Sequence, residues 1–187
     1  MGYHRDEIVD RAVGLLDAYG LGDLSMRRLA GELGVQPSAL YHHFVNKQTL
    51  LAAVADEVLR RGARPGVARA GWEERVVLGC GELRDAMLAY RDGADLVATV
   101  HAFGLGAQGP GLMLESTLVE AGFGDGLARV AARTLLHYVF GHTADEQAYL
   151  QAGSAGALLG PPRETSDFEL GLALILDGLR LRSHQPG

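Results

Sequence analysis

The chain has 187 residues, 48% of them hydrophobic, with a formal charge of −6 and one cysteine, Cys80. That length can bury the core of one medium domain, or of a small domain joined to a larger one. A single cysteine excludes an intramolecular disulfide framework and fits a reducing compartment. No apolar run approaches the ~20 residues of a membrane span. No apolar stretch follows a basic start, so a cytoplasmic chain with no membrane partner is expected. The net charge argues against holding nucleic acid by bulk electrostatics. Residues 1–61 carry seven basic and eight acidic groups, and the rest ten and fifteen. Any DNA contact would therefore belong to the near-neutral first third and would depend on local geometry.

In chain order the spacing predicts helices throughout. Ile8, Ala12, Leu15, Leu16 and Tyr19 recur with helical period, and Gly20 and Gly22 stop the run. Ser25 is an N-cap for a short helix with Leu29 and Leu33 inward. Gly34 is placed to end it, because glycine enters a left-handed turn without steric cost. Pro37 suits the first turn of the next helix, where Leu40 and Phe44 share a face. Asn46 caps a fourth helix with Leu50, Leu51, Val54, Val58 and Leu59 inward.

"GARPGVARAG" (62–71) is a linker-like break. A long helix is predicted over Trp72–Tyr90, then a turn at Asp92-Gly93 into a short helix. "GLGAQGPG" (104–111) is a predicted loop, and helices follow around 112–121 and 127–151. Residues 152–162 are too rich in Gly, Ala and Pro to predict as ordered. Ser166 and Glu169 form a capping-box pattern that opens a final helix. In that helix Phe168, Leu172, Ile175 and Leu179 define one face, while Leu170, Leu174 and Leu181 fall off it. A helix apolar nearly all round is buried on more than one side, which points to a partner subunit. The expected fold is all-α, with no β alternation and no repeat.

Several residues could carry chemistry. Tyr41, His42 and His43 fan across the surface opposite Leu40 and Phe44. Successive helical residues diverge by ~100°, so the two histidines cannot easily clamp one metal. His142 and Glu146, at i, i+4, could hold a metal or form a surface ion pair. "GLGAQG" matches G-x-G-x-x-G, but no strand precedes it and Pro110-Gly111 follows, so no dinucleotide site is expected. Cys80 falls at a core-facing position with nothing to lower its pKa. No catalytic set converges, so no enzyme is expected. Three short helices with a Gly-containing turn between the second and third form a helix-turn-helix, and Tyr-His-His is then a reading surface for the major groove. The other readings are a helical protein-interaction adaptor, for which an apolar patch would be expected on the third helix, and an enzyme.

"LSMRRLAGELGVQPSALYHHFVNKQTLLAAVADEVL" (24–59) resembles the DNA-binding half of the TetR family of bacterial repressors. The likeness rests on the L-S-x-R-x-L-A-x-x-L-G-V, L-Y-x-H-F and N-K-x-x-L-L blocks. "YRDGA" (90–94), "LHYVFGHTADEQA" (136–148) and "DFELGLALILDGL" (167–179) resemble the ligand-binding domain of the tetracycline repressors, while 95–135 match only loosely. The resemblance implies a helix-turn-helix DNA-binding domain over 1–48, a connecting helix and linker over 49–71, and a helical ligand-binding and dimerisation domain over 72–187. It implies that Arg27 reads a guanine, that Gln36, Pro37, Ser38, Ala39, Tyr41, His42 and His43 lie on the recognition helix, and that Ser25 and Lys47 clamp phosphates. It also implies a homodimer built on the last helix and the long one before it, released from a double-stranded operator by a small-molecule effector.

For the effector, the resemblance puts His137 and Asp145 among the cavity-lining residues. Their i, i+8 spacing, with Gly141 between, puts them on one helix face. Val97 stands where tetracycline repressors use a histidine to bind the drug's magnesium, and Gly62 or Ala63 replaces another polar contact. His101, one turn on, is either a substitute or polar surface. The pattern fits a more apolar pocket involving His101, Phe103, His137, Tyr138 and Phe140, with no metal and no other cofactor.

Overall fold

The computed structural model describes residues 3–64, 71–157 and 166–183. Among them the regular elements are all helical: α1 (Arg5–Tyr19), α2 (Met26–Leu33), α3 (Pro37–Tyr41), α4 (Lys47–Gly62), α5 (Trp72–Leu88), α6 (Gly93–Ala102), α7 (Gly109–Glu120), α8 (Asp125–Ser154) and α9 (Phe168–Ser183). No described helix is long and apolar enough to cross a membrane.

The chain forms two compact units. One runs to Ala63 and takes in Asp85–Gln108; the other holds Arg64–Arg84 and the residues from Gly109 onward. The division falls inside α5, so the YRDG turn and all of α6 group with α1–α4. In this first unit α1 packs on α2 and α4, α2 on α3, and α4 on α6. Ile8, Leu16, Leu29, Leu40, Phe44, Leu50, Val54, Leu96 and Val97 are all but inaccessible and form its core.

The helix ends follow local chemistry. Ser25 Oγ accepts the Arg28 N–H at 3.2 Å, and Gly34 closes α2 at φ 65°. Asn46 and Thr49 exchange bonds across the start of α4, with Thr49 N donating to Asn46 Oδ1 at 2.9 Å. Gly20 ends α1 at φ 83°, where a Cβ would come within 2.5 Å of the Asp92 carboxylate. Asp92, itself at φ 55°, uses that close approach, its Oδ2 accepting the Leu21 N–H at 2.8 Å. The turn between α1 and α2 is thereby fastened to the start of α6. Where α6 ends, Asp56 Oδ1 of α4 accepts the Ala107 N–H at 2.7 Å.

In the second unit α7 packs along α8, and α9 packs on α8. Trp72 meets Phe123 edge to face with centroids 5.3 Å apart. The predicted loop over 104–111 is shorter than expected: Pro110 and Gly111 lie in the first turn of α7. A first-turn proline has no bond to lose, because the first N–H groups of a helix have no partner within it. The helix α8 also runs three residues beyond 151. Residues 155–157 turn out of α8, and the remainder of the stretch not predicted as ordered, 158–162, lies with linker residues 65–70 outside the described residues. On α9 the buried face is Phe168, Leu172, Leu176 and Leu179, with Leu176 deeper than the expected Ile175. Leu170, Leu174 and Leu181 are 64%, 66% and 75% exposed.

Candidate nucleic-acid interface

Leu40 and Phe44, each 1% exposed, anchor α3 in the first unit. Their burial turns Ser38, Tyr41, His42 and His43 outward, and Gln36 and Arg27 are exposed beside them. Ser25, Pro37, Ala39 and Lys47 are half-buried. The helix is shorter than the sequence suggests. It ends at Tyr41, and His42 and His43 occupy the turn after it, with the His43 N–H donating to Leu40 O at 2.9 Å. That i−3 bond tightens the last turn and keeps both imidazoles on the outer side.

Each group has a chemical capacity there. Ser25 Oγ accepts from Arg28, so its own hydroxyl hydrogen remains to be donated. Lys47, half-buried, is the first residue of α4. Arg28, in contrast, is committed to structure: it pairs with Asp23 at 2.8 Å and lies 3.8 Å over the Tyr19 ring. Arg5 likewise lies 5.0 Å over Phe44. The exposed row of a guanidinium, an amide, hydroxyls and imidazoles can donate to phosphates and to base-edge acceptors.

The residues expected around an effector are distributed over both units. In the first, His101 Nδ1 lies 3.0 Å from the Ala107 carbonyl, which fixes a proton on that nitrogen, and Phe103 is 65% exposed. Val97 is fully buried. In the second unit Phe140 is buried and Tyr138 half-buried, while His137 and Asp145 are exposed on α8. The Tyr138 hydroxyl donates to Phe168 O at 2.8 Å, and the two rings stack. Burial is the main influence raising the Tyr138 pKa, with the Asp167 charge adding to it.

The other sequence candidates are accounted for by structure. Glu146 receives the Arg84 guanidinium and lies 3.9 Å from His142, so that carboxylate is already engaged. His142 also sits 3.1 Å from Ser166 Oγ, which in turn accepts the Phe168 N–H at 3.4 Å. Burial pushes the Cys80 thiol up to about 12, which leaves it inert. Sequence reasoning passed over Asp56, Asp92 and Arg84. Their partners lie 51, 71 and 62 residues away along the chain, and no local pattern marks such contacts.

Comparison with known proteins gives these features a family. The N-terminal region, residues 8–54, matches "Bacterial regulatory proteins, tetR family", and residues 64–166 match "Tetracyclin repressor-like, C-terminal domain". The chain is 35% identical to the class A tetracycline repressor protein from transposon 1721 of Escherichia coli, over 94% of this chain and 89% of that protein. Among solved structures it is similar to Mycobacterium smegmatis BioQ, at 43% identity and TM-score 0.88 over 96% and 98% of the two chains. BioQ crystallised with its natural double-stranded DNA operator is 41% identical, at TM-score 0.83 over 95% and 98%. The chain belongs to the tetR family of bacterial regulatory proteins and is a DNA-binding transcriptional regulator.

Proposed function

We propose that this regulator is a homodimeric, non-enzymatic repressor of the cytoplasm, released from its operator by a small molecule. The observation that carries the DNA reading is the outward row of Ser38, Tyr41, His42 and His43, held by Leu40 and Phe44. Arg27, Gln36, Pro37 and Ala39 extend that row, and Ser25 and Lys47 flank it as phosphate contacts. Such a short surface gives specificity only when doubled, because two recognition helices must sit about one DNA turn, ~34 Å, apart. The exposed leucines of α9, Leu170, Leu174 and Leu181, supply the face for a second copy.

Release by a ligand is supported by the match of residues 64–166 to a tetracycline-repressor-like domain. His137, Tyr138, Phe140 and Asp145, all on α8, are the proposed lining within the second unit, while His101 and Phe103 belong to the first. The donor set does not fit a magnesium-chelated drug. Val97 is an apolar, fully buried residue where those repressors use a histidine.

The test is selection of duplexes from a random pool by the full chain, followed by footprinting of the winner. Enrichment of a two-fold-symmetric site, lost in Tyr41→Ala/His43→Ala, supports the reading. A footprint unchanged in that double variant overturns it.

A further inference from the structure

Val45 is 80% exposed, the most exposed large apolar side chain among the described residues. Both of its neighbours in the chain have structural work. Phe44 is buried and anchors α3, and Asn46 caps α4 by accepting the Thr49 N–H at 2.9 Å. The residue before an N-cap often packs against the fourth residue of the helix. In α4 that residue is Leu50, which is fully buried while Val45 stands in the open. The fold therefore makes no use of this valine.

A single surface valine is ordinary, but this one lies in the exposed run that reads DNA. His42 and His43 are exposed just before Phe44, and Asn46 is exposed just after Val45. Two residues of chain span at most about 7 Å, so a surface met by His43 is within reach of Val45. The His43 and Phe44 N–H groups both donate to Leu40 O at 2.9 Å, which keeps the chain coiled beyond α3. Eight residues on from Pro37, Val45 is then roughly 12 Å away at the helical rise, about the width of the major groove. A recognition helix sets its first residues against the base edges, so Val45 falls at the wall of the groove. On the major-groove edge of an A·T pair, the thymine 5-methyl is the group nearest the backbone of its own strand. It is also the apolar group of that edge. A valine has no donor for a phosphate or a base acceptor, and a methyl is what it can cover.

We infer that Val45 packs against the 5-methyl group of a thymine in each half of the operator and so specifies that base. This rests on the DNA reading above and adds a contact to it. The recognition is by apolar contact alone, with no hydrogen bond, and it separates thymine from any base that lacks the methyl.

The test is a uracil scan of the selected operator with the full chain. Each thymine is replaced in turn by uracil, which lacks only the methyl, and affinity is measured by fluorescence anisotropy for the parent and for Val45→Ala. In the parent, one thymine in each half-site should be sensitive, with a loss of about fourfold, the worth of one buried methyl-sized group. Val45→Ala should lose nothing further at that thymine, should keep the parent's losses at any others, and should melt at the parent's Tm. The inference is overturned if no thymine is sensitive, or if Val45→Ala keeps every sensitivity of the parent. It is also overturned if Val45→Ala weakens uracil-containing and unsubstituted duplexes by the same factor, which would mark a sugar contact, or if it lowers the Tm, which would make Val45 a folding residue. The Tyr41→Ala/His43→Ala variant separates the two levels. If it loses the operator while Val45→Ala keeps every sensitivity, only the valine contact falls; if it footprints like the parent, the DNA reading falls with it.

Discussion

The Asp56 carboxylate of α4 holds the Ala107 backbone N–H at 2.7 Å, across 51 residues of chain. Ala107 is itself at φ 57°, and its carbonyl receives His101 Nδ1 at 3.0 Å. One peptide segment therefore joins the helix next to the reading head with the end of α6. A non-glycine residue keeps such a φ only when its surroundings over-determine it. Asp56→Ala leaves a part-buried N–H unpaired and is expected to cost about 1–3 kcal/mol. Asp56→Asn, which retains an acceptor, should cost less. Urea unfolding of the two variants checks the order, and equal losses would show that the acceptor is not what matters.

The base-reading and phosphate roles separate by salt. Lys47→Ala should weaken binding about equally on the selected operator and on unrelated duplex, and should flatten the dependence of log K on log salt. Tyr41→Ala and His43→Ala should each cost about 1–3 kcal/mol on the operator and much less on unrelated DNA. Fluorescence anisotropy at several salt concentrations, on both duplexes, measures both effects.

Acid should loosen α4 through Glu57. Its carboxylate receives the Arg60 guanidinium at 2.6 and 2.7 Å and Arg61 Nε at 2.7 Å, and these arginines hold its pKa down to about 2 from the usual 4.5. A depressed carboxylate contributes stability that is fully present above about pH 4.5 and is lost as pH falls toward 2. Glu57→Gln should therefore be less stable than the parent at neutral pH and converge with it toward pH 2. Urea midpoints at a series of pH values test this, and parallel curves would contradict it.

Dimer formation should depend on the outward leucines of α9. Leu174 is 66% exposed, so Leu174→Arg should leave the monomer's core intact while setting charges into an apolar subunit contact. Sedimentation at micromolar concentration should show a dimer for the parent and a monomer for the variant. An unchanged mass would place the subunit contact elsewhere.

What is legible in the sequence divides along a physical line. Ser25, Gly34, Pro37 and Asn46 mark helix ends because a cap is a contact between residues three or four apart, and each is found where its chemistry puts it. The outward placement of Tyr41, His42 and His43 follows from the i, i+4 pair Leu40 and Phe44. Pro110-Gly111 misleads because a breaker inside a helix and a proline at its start look alike without the preceding capping geometry. His137 and Phe140 illustrate the other limit. They are three residues apart on α8, one exposed and one buried, because the neighbouring helices decide the boundary and periodicity does not. The Thr143 hydroxyl gives no sign at all, since its lack of a partner depends on every helix around it.

The ties at Asp92 and Asp56 bear on how hybrid regulators of this family should be cut. A chimaera that exchanges residues only up to the break near Ala63 keeps one parent's α6 and takes the other's α1–α4. It then has to reconcile Leu21 with a foreign Asp92 and Asp56 with a foreign Ala107, and it gives Arg61 a foreign tyrosine at position 90. Transplanting residues 85–108 together with the reading head carries those contacts over as one piece. The segment that looks like part of the sensor is, for grafting purposes, part of what reads the DNA.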